Sequence, residues 1–218
     1  MTHISARVKA FLDNDFIIRK CLFRNITSFR ALSRHMIKAL DLEEKNIDAV
    51  ISAVRRYKKE EKTKTDLELK KLFAKISVKT RSNIVDICVK KNKRVLEQLN
   101  KINSIVDLEK GEVIRVIQAE ESIRIIIDEK NMDKFFNYFP KNDCILIEKD
   151  LNEINLHFSP EASKTKGVLS LISSSLNAED INIAEIISCA PELLIFVKKE
   201  DLLKALNVIN NLEKVMTT

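Results

Sequence analysis

Glycine is almost missing from this chain: Gly111 and Gly167 are the two it has in 218 residues. Phosphate-cradling loops and dinucleotide turns need several glycines close together, so neither GxxxxGKS nor GxGxxG can be written from it. GxSxG and HExxH are absent too, and no cysteine stands beside a histidine that could activate it. These absences argue against a nucleotide-using enzyme, and less strongly against other enzyme classes. The four cysteines, Cys21, Cys88, Cys144 and Cys189, are widely scattered without a CxxC pair. They read as buried reduced thiols before a zinc site or a disulfide. His3, His35 and His157 are isolated, so no metal or cofactor constellation is visible. No apolar run approaches roughly 18 residues. The opening MTHISARVKAF lacks a continuous apolar core and a small-residue cleavage site, so the expectation is a cytoplasmic protein without a membrane partner. What is present, 45% hydrophobic residues, suffices for real cores and excludes a disordered chain.

The clearest positive signal lies in the last third. Residues 152–158 (NEINLHF) put Ile154, Leu156 and Phe158 on one face of a strand and Asn155 and His157 on the other, the period of a half-buried strand. The polar stretch SPEASKTKG follows, then a helix over 163–178 with Val168, Leu169, Ile172 and Leu176 in one stripe. Residues 182–189 and 193–198, separated by Ala190-Pro191-Glu192, read as a hairpin of β-branched residues, with a final helix beyond. SPEASKTKGVLSLISSSLNAEDINIAEI followed by PELLIFVKKEDLLKAL resembles the ACT domain, the small-molecule-sensing module appended to aspartokinases and other enzymes of amino-acid metabolism. The chain carries no recognisable enzyme for such a module to regulate.

Residues 73–150 repeat that order. From Ile84 the pattern is strand (84–89), helix (95–105), strands (112–119 and 123–128), a helix (132–136) and a strand (144–148), preceded by a spare strand at 75–79 and a hairpin turn at Thr80-Arg81-Ser82-Asn83. The resemblance therefore implies tandem modules, 73–150 and 151–218, each a ferredoxin-like βαββαβ unit, as in the regulatory region of aspartokinases. In that family an amino acid usually sits between the loop after the first strand, the start of the first helix, and a neighbouring module. The second copy offers Ser159, Ser163, Lys164, Thr165, Lys166, Gly167 and Val168 there, with Asn182 and Glu185 as acceptors for an ammonium group. The first copy offers Lys90, Lys91, Asn92, Lys93 and Arg94 without glycine, so the ligand is expected on the second. The family often has proline before the glycine where this chain has Lys166, and Gly167 equally fits a structural role in helix-to-sheet packing. The second copy lacks its fourth strand, leaving an open edge that either residues 75–79 or a second chain would fill.

The basic charge belongs to the N-terminal segment. Residues 1–65 hold 15 Lys+Arg against 8 Asp+Glu, a net +7, whereas the remaining 153 hold 23 against 24. This segment shows helices over 6–12 and 16–23, over 28–40 with Thr27 or Ser28 as N-cap, and over 47–59. On the last, Ile47, Val50, Ile51, Val54 and Tyr57 make a core stripe. Ala49, Ser52 and Ala53 make a small-residue face, flanked by Arg55, Arg56, Lys58 and Lys59. Small residues let a helix approach a groove and cations reach phosphates, which suits a recognition helix, with Arg30 and Arg34 contacting the same backbone. The alternative is a small helical bundle with solvated cations that dimerises or docks on an enzyme. The expected whole is an α+β chain: a helix-turn-helix-like domain at 1–65, then the two modules. It reads as an amino-acid-responsive transcription regulator, without cofactor, that binds double-stranded DNA as a homodimer through its ACT-like sheets. The rival reading is a free-standing regulatory subunit docking on an aspartokinase-like enzyme.

Overall fold

The structure, a computed structural model, describes residues 3–61 and 65–212. Its contacts separate two compact units, one holding the described residues up to Lys71 with residues 165–167, the other holding 72–164 and 168–212.

The first unit is helical: α1 (His3–Asn14), α2 (Phe16–Phe23), α3 (Phe29–Ala39) and α4 (Ile47–Glu61), with most of α5 (Thr65–Phe73). Ser28 caps α3, its Oγ accepting from the Ala31 N–H at 3.4 Å. Beyond the end of α2, Asn25 at φ 58° lets the Ile26 N–H reach back to the Cys21 carbonyl at 3.2 Å and close the helix end. Val8, Leu12, Leu22, Leu32, Met36, Ile37, Val50, Ala53, Val54 and Tyr57 form its core. Ala53 thus belongs to the buried stripe of α4 rather than to its outer face, because it follows Val50 by three residues on the same side of the helix. Residues 62–64, at the end of the expected helix-turn-helix-like domain, and 213–218, at the end of the expected second module, lie outside the described residues.

The second unit carries β1 (Ser77–Lys90), α6 (Lys93–Leu99), β2 (Ile114–Gln118), β3 (Ser122–Asp128), α7 (Met132–Tyr138), β4 (Cys144–His157), α8 (Val168–Asn177), β5 (Ile183–Cys189), β6 (Glu192–Lys198) and α9 (Leu202–Asn210). The strands form one antiparallel sheet in the order β2-β3-β1-β4-β6-β5. The hairpin expected at 80–83 does not form. Residues 75–79 and 84–89 instead merge into the single strand β1, which passes the turn-like residues as a bulge with Asn83 at φ 59°. The expected strands 144–148 and 152–158 likewise merge into β4 through Asp150 at φ 57°. Asparagine and aspartate tolerate the left-handed region, so each supplies one extra residue without ending the strand. The helix expected over 95–105 is shorter, ending at Leu99 and followed by a single 3-10 turn, Ile102–Ser104. The helix expected from 163 begins at Val168, after a 3-10 turn at Pro160–Lys164.

Two interlocked half-sheets result. The first is β2, β3, the second half of β1 and the first half of β4. The second is β5, β6, the second half of β4 and the first half of β1, whose Ser77 to Arg81 lie opposite His157 to Glu153. The spare strand therefore fills the second module's fourth position within the chain, one of the two alternatives the sequence left open. Val85, Ile87, Val89, Ile123, Ile125 and Ile127 face α6 and α7, packing on Val95, Phe135 and Phe139. The alternate residues Ile84, Ile126, Leu151, Leu194 and Phe196, with Val113, make a separate core without any helix residue. That core draws on both half-sheets, and Arg124 of β3 meets Glu185 of β5 at 2.9 Å. β3 and β5 are four places apart in strand order, about 19 Å in a flat sheet. The sheet has folded over at its two bulges, so the half-sheets lie face to face with the helices outside. Each fully buried Leu, Ile or Phe of this inner core contributes about 1.5–3 kcal/mol.

Candidate functional site

The turn after β4 was the expected ligand site, and the structure divides it. Ser159, Ser163, Lys164 and Val168 belong to the sheet unit, while Thr165, Lys166 and Gly167 group with the helical unit. Within the turn the hydroxyls are occupied: Ser163 Oγ donates to the Pro160 carbonyl at 3.0 Å. The Ser159 side chain hydrogen-bonds Glu161 and holds that carboxyl below its usual range. Gly167 sits at φ 89°, a backbone conformation that other residues adopt only with strain, and a Cβ there would only touch Leu69 Cδ1 at 3.6 Å. Its glycine is thus required by the backbone itself. Asn182 is exposed just before β5. Glu185 corrects an expectation. It lies on β5 opposite Phe196, and its carboxylate is already paired with Arg124 at 2.9 Å rather than left free for an ammonium group.

On α4 the expected phosphate-binding cations have partners within the helical unit. Arg55 and Lys58 lie over the ring of Phe29, at 5.6 and 5.3 Å from its centroid. Lys58 also donates to Asn25 Oδ1, and Arg56 to Ser5 Oγ at 3.1 Å. Ser52 and Lys59 are exposed, as are Arg30 and Arg34 on α3. Tyr57 closes the same helix onto α1, its hydroxyl donating to Asp13 at 2.7 Å; burial first, then that bond, push the phenol up to about 12. The connection between α3 and α4 includes a 3-10 turn, Glu44–Asn46, and is longer than the three or four residues that join the helices of a helix-turn-helix.

The densest polar chemistry lies where sequence reasoning did not look, between the half-sheets. Arg124 bridges Asp86 of its own module and Glu185 of the other. Arg115 of β2 reaches Glu153 of β4 at 3.3 Å, again across modules. Asp86 and Glu153 occupy matching positions of the two copies, two residues after Ile84 and Leu151, which pair with one another. They are 2% and 1% exposed. Burial raises both carboxyls; Arg124 opposes the shift at Asp86, and Arg115 and then Arg81 oppose it at Glu153. The sequence did hold a signal: a lone charge in each of the runs IVDICV, SIRIII and NEINL, where alternation alone would call for apolar residues.

No family model matches the sequence, and no curated protein matches it. Solved structures do. The aspartate kinase of Clostridium acetobutylicum, described as an allosteric enzyme, is 23% identical over 62% of this chain and 34% of its own, with a TM-score of 0.50. The fold here is ACT-like. A putative C-terminal regulatory domain of aspartate kinase from Porphyromonas gingivalis W83 is 20% identical over 62% of this chain and 95% of its own, TM-score 0.45. The ligand-free regulatory subunit of aspartate kinase from Thermus thermophilus is 11% identical over the same shares, TM-score 0.49. This chain spans about a third of the length of the Clostridium enzyme. Among the described residues no helix is long and apolar enough to cross a membrane.

Proposed function

We propose that this chain is a regulatory protein whose interlocked ACT-like modules sense a small amino acid and whose helical unit conveys the result to a partner protein. The observation that carries this reading is the sharing of β1 and β4 between both modules. Two modules built on common strands cannot shift independently, so a ligand held by one biases the packing of both, which is what a sensor needs. The amino acid would sit at the start of α8, where unpaired backbone N–H groups favour its carboxylate, with Ser159, Ser163, Lys164, Val168 and Asn182 around it. Of the two output readings, docking on an enzyme is favoured over DNA. Arg55, Arg56 and Lys58 are held on Phe29, Ser5 and Asn25, so reaching phosphates would cost them contacts within the helical unit.

Thermal shift with each of the twenty amino acids tests the sensor. At a ligand concentration of 100 times Kd the stabilisation should be about 2.7 kcal/mol, a melting shift of roughly 5–10 °C. Ser163→Ala with Asn182→Ala should reduce that shift, while the loss of the exposed Ser163 bond to Pro160 lowers ligand-free stability by about 1 kcal/mol at most. If no amino acid moves the transition, the sensing role fails. A shift that survives the double substitution places the ligand elsewhere.

A further inference from the structure

The inner face leaves hydrogen-bonding capacity unused in a specific pattern. Asp86 Oδ1 and Glu153 Oε2 are closed to solvent and without a partner, while the other oxygen of each carboxylate meets an arginine. Asn155 Oδ1 is likewise buried and unpartnered. Glu153 and Asn155 are two residues apart on β4 and so share the inner face, with Cα atoms about 7 Å apart. Each is a bare buried acceptor, and a proton on Glu153 Oε2 removes the charge that burial penalises and turns that oxygen into a donor. Neutralising Asp86 does not strand its arginine, because Arg124 keeps Glu185 at 2.9 Å. The charges around the pair come from every strand. Asp86 faces Arg124 of β3, Glu185 of β5 and Glu148 of β4; Glu153 faces Arg115 of β2, Arg81 of β1 and Glu192 of β6. Glu148 is itself held by Lys198 at 3.1 Å, and Glu192 lies 4.0 Å from His157.

We infer that the face-to-face contact of the two modules is a proton-sensitive latch, in which Asp86 and Glu153 each take one proton from solvent on acidification and the closed sandwich tightens. When the sandwich unfolds, both carboxylates hydrate and return to ordinary acidity; when it closes, burial favours the neutral acids. The closed form therefore binds more protons than the open or unfolded one at pH values between the ordinary carboxylate range and the raised one. Its extra stability is full below the ordinary range and is lost as pH rises through the raised values. The latch does not depend on an amino acid being bound, so it stands or falls separately from the sensing role.

The test is urea unfolding of the whole chain between pH 5 and 8, for the wild type and for Asp86→Asn with Glu153→Gln. These amides keep the shape and the hydrogen bond to each arginine while removing the titration. The folded-to-unfolded ratio of the wild type should fall, relative to the variant, by up to about tenfold per pH unit for each carboxyl as pH rises through the window. Parallel profiles for the two proteins would overturn the latch. If the double variant does not fold, carboxyl 13C titration of the wild type decides: side-chain transitions of Asp86 and Glu153 above the ordinary range uphold it, and ordinary ones overturn it.

Discussion

Replacing Arg124 by methionine probes the closure of the sandwich most directly. The guanidinium is the shared partner of Asp86, which is 2% exposed, and of Glu185 in the opposite half-sheet. Methionine fills similar volume but supplies neither charge nor donor. Asp86 would then be a buried carboxylate without compensation, a loss that costs about 3–5 kcal/mol for a buried pair. Arg124 is 30% exposed along its side chain, so water can partly replace it, and the lower half of that range is the expectation. For a chain of this size each kcal/mol corresponds to about 2–4 °C, so the melting temperature should drop by roughly 6–16 °C at neutral pH. Lys198→Met is the control, because its pair with Glu148 is partly solvated and worth less than about 1 kcal/mol. The sharper comparison is the triple replacement Asp86→Leu, Arg124→Met and Glu185→Leu. Removing the whole charged set together should restore most of the lost stability or exceed the wild type, since desolvation of all three ions disappears at once. Scanning calorimetry with urea midpoints reads each variant. A cost for Arg124→Met no larger than that for Lys198→Met would refute the reasoning, because it would mean that the half-sheets do not close over this arginine.

The two bulges should respond alike: Asn83→Val and Asp150→Val, at φ 59° and 57°, each lose about 1–2 kcal/mol in urea unfolding, whereas glycine at either position changes stability by less than about 1 kcal/mol. Gly167→Val, at φ 89°, should cost a similar 1–2 kcal/mol, roughly, without any ligand present, which a melting curve of the ligand-free protein checks. Tyr57→Phe removes the bond to Asp13 and should cost about 1 kcal/mol. The part of the phenolate absorbance that this substitution removes should appear in the wild type only near pH 12; the contribution is present below the ordinary phenol range and lost as pH rises through the raised value. On the docking reading, genomic DNA fragments are not retarded at low salt; retardation with a log–log salt slope near about −3.6, flattened by Arg56→Ala with Lys59→Ala, would instead establish DNA as the partner.

How far the sequence could be read depended on whether a signal was local. Strand faces were legible: the alternation in NEINLHF placed Ile154, Leu156 and Phe158 together, and all three are buried. The order of strands and helices in the two copies was legible too, since apolar period and β-branched runs report on a few neighbouring residues. What failed was the reading of turn-like residues. Thr80-Arg81-Ser82-Asn83 has the composition of a hairpin, and Lys149-Asp150 that of a break between domains. Each is a bulge because the partner strand continues past it, and no local preference encodes a partner some seventy residues away. The charges followed the same logic. Asp86, Arg115, Arg124 and Glu153 went unread, because only the folding-over of the sheet brings these charges together and buries the two acids. A single step connects both misreadings. The positive-φ residues Asn83 and Asp150 keep β1 and β4 continuous while bending them, continuity lets each module lend a strand to the other, and the bend brings the outer strands' arginines onto the opposite module's acids. A sequence with true hairpins at those points would give two separable domains with open edges. This one makes the second module's completion depend on the first, so the sandwich should unfold as one cooperative unit rather than module by module.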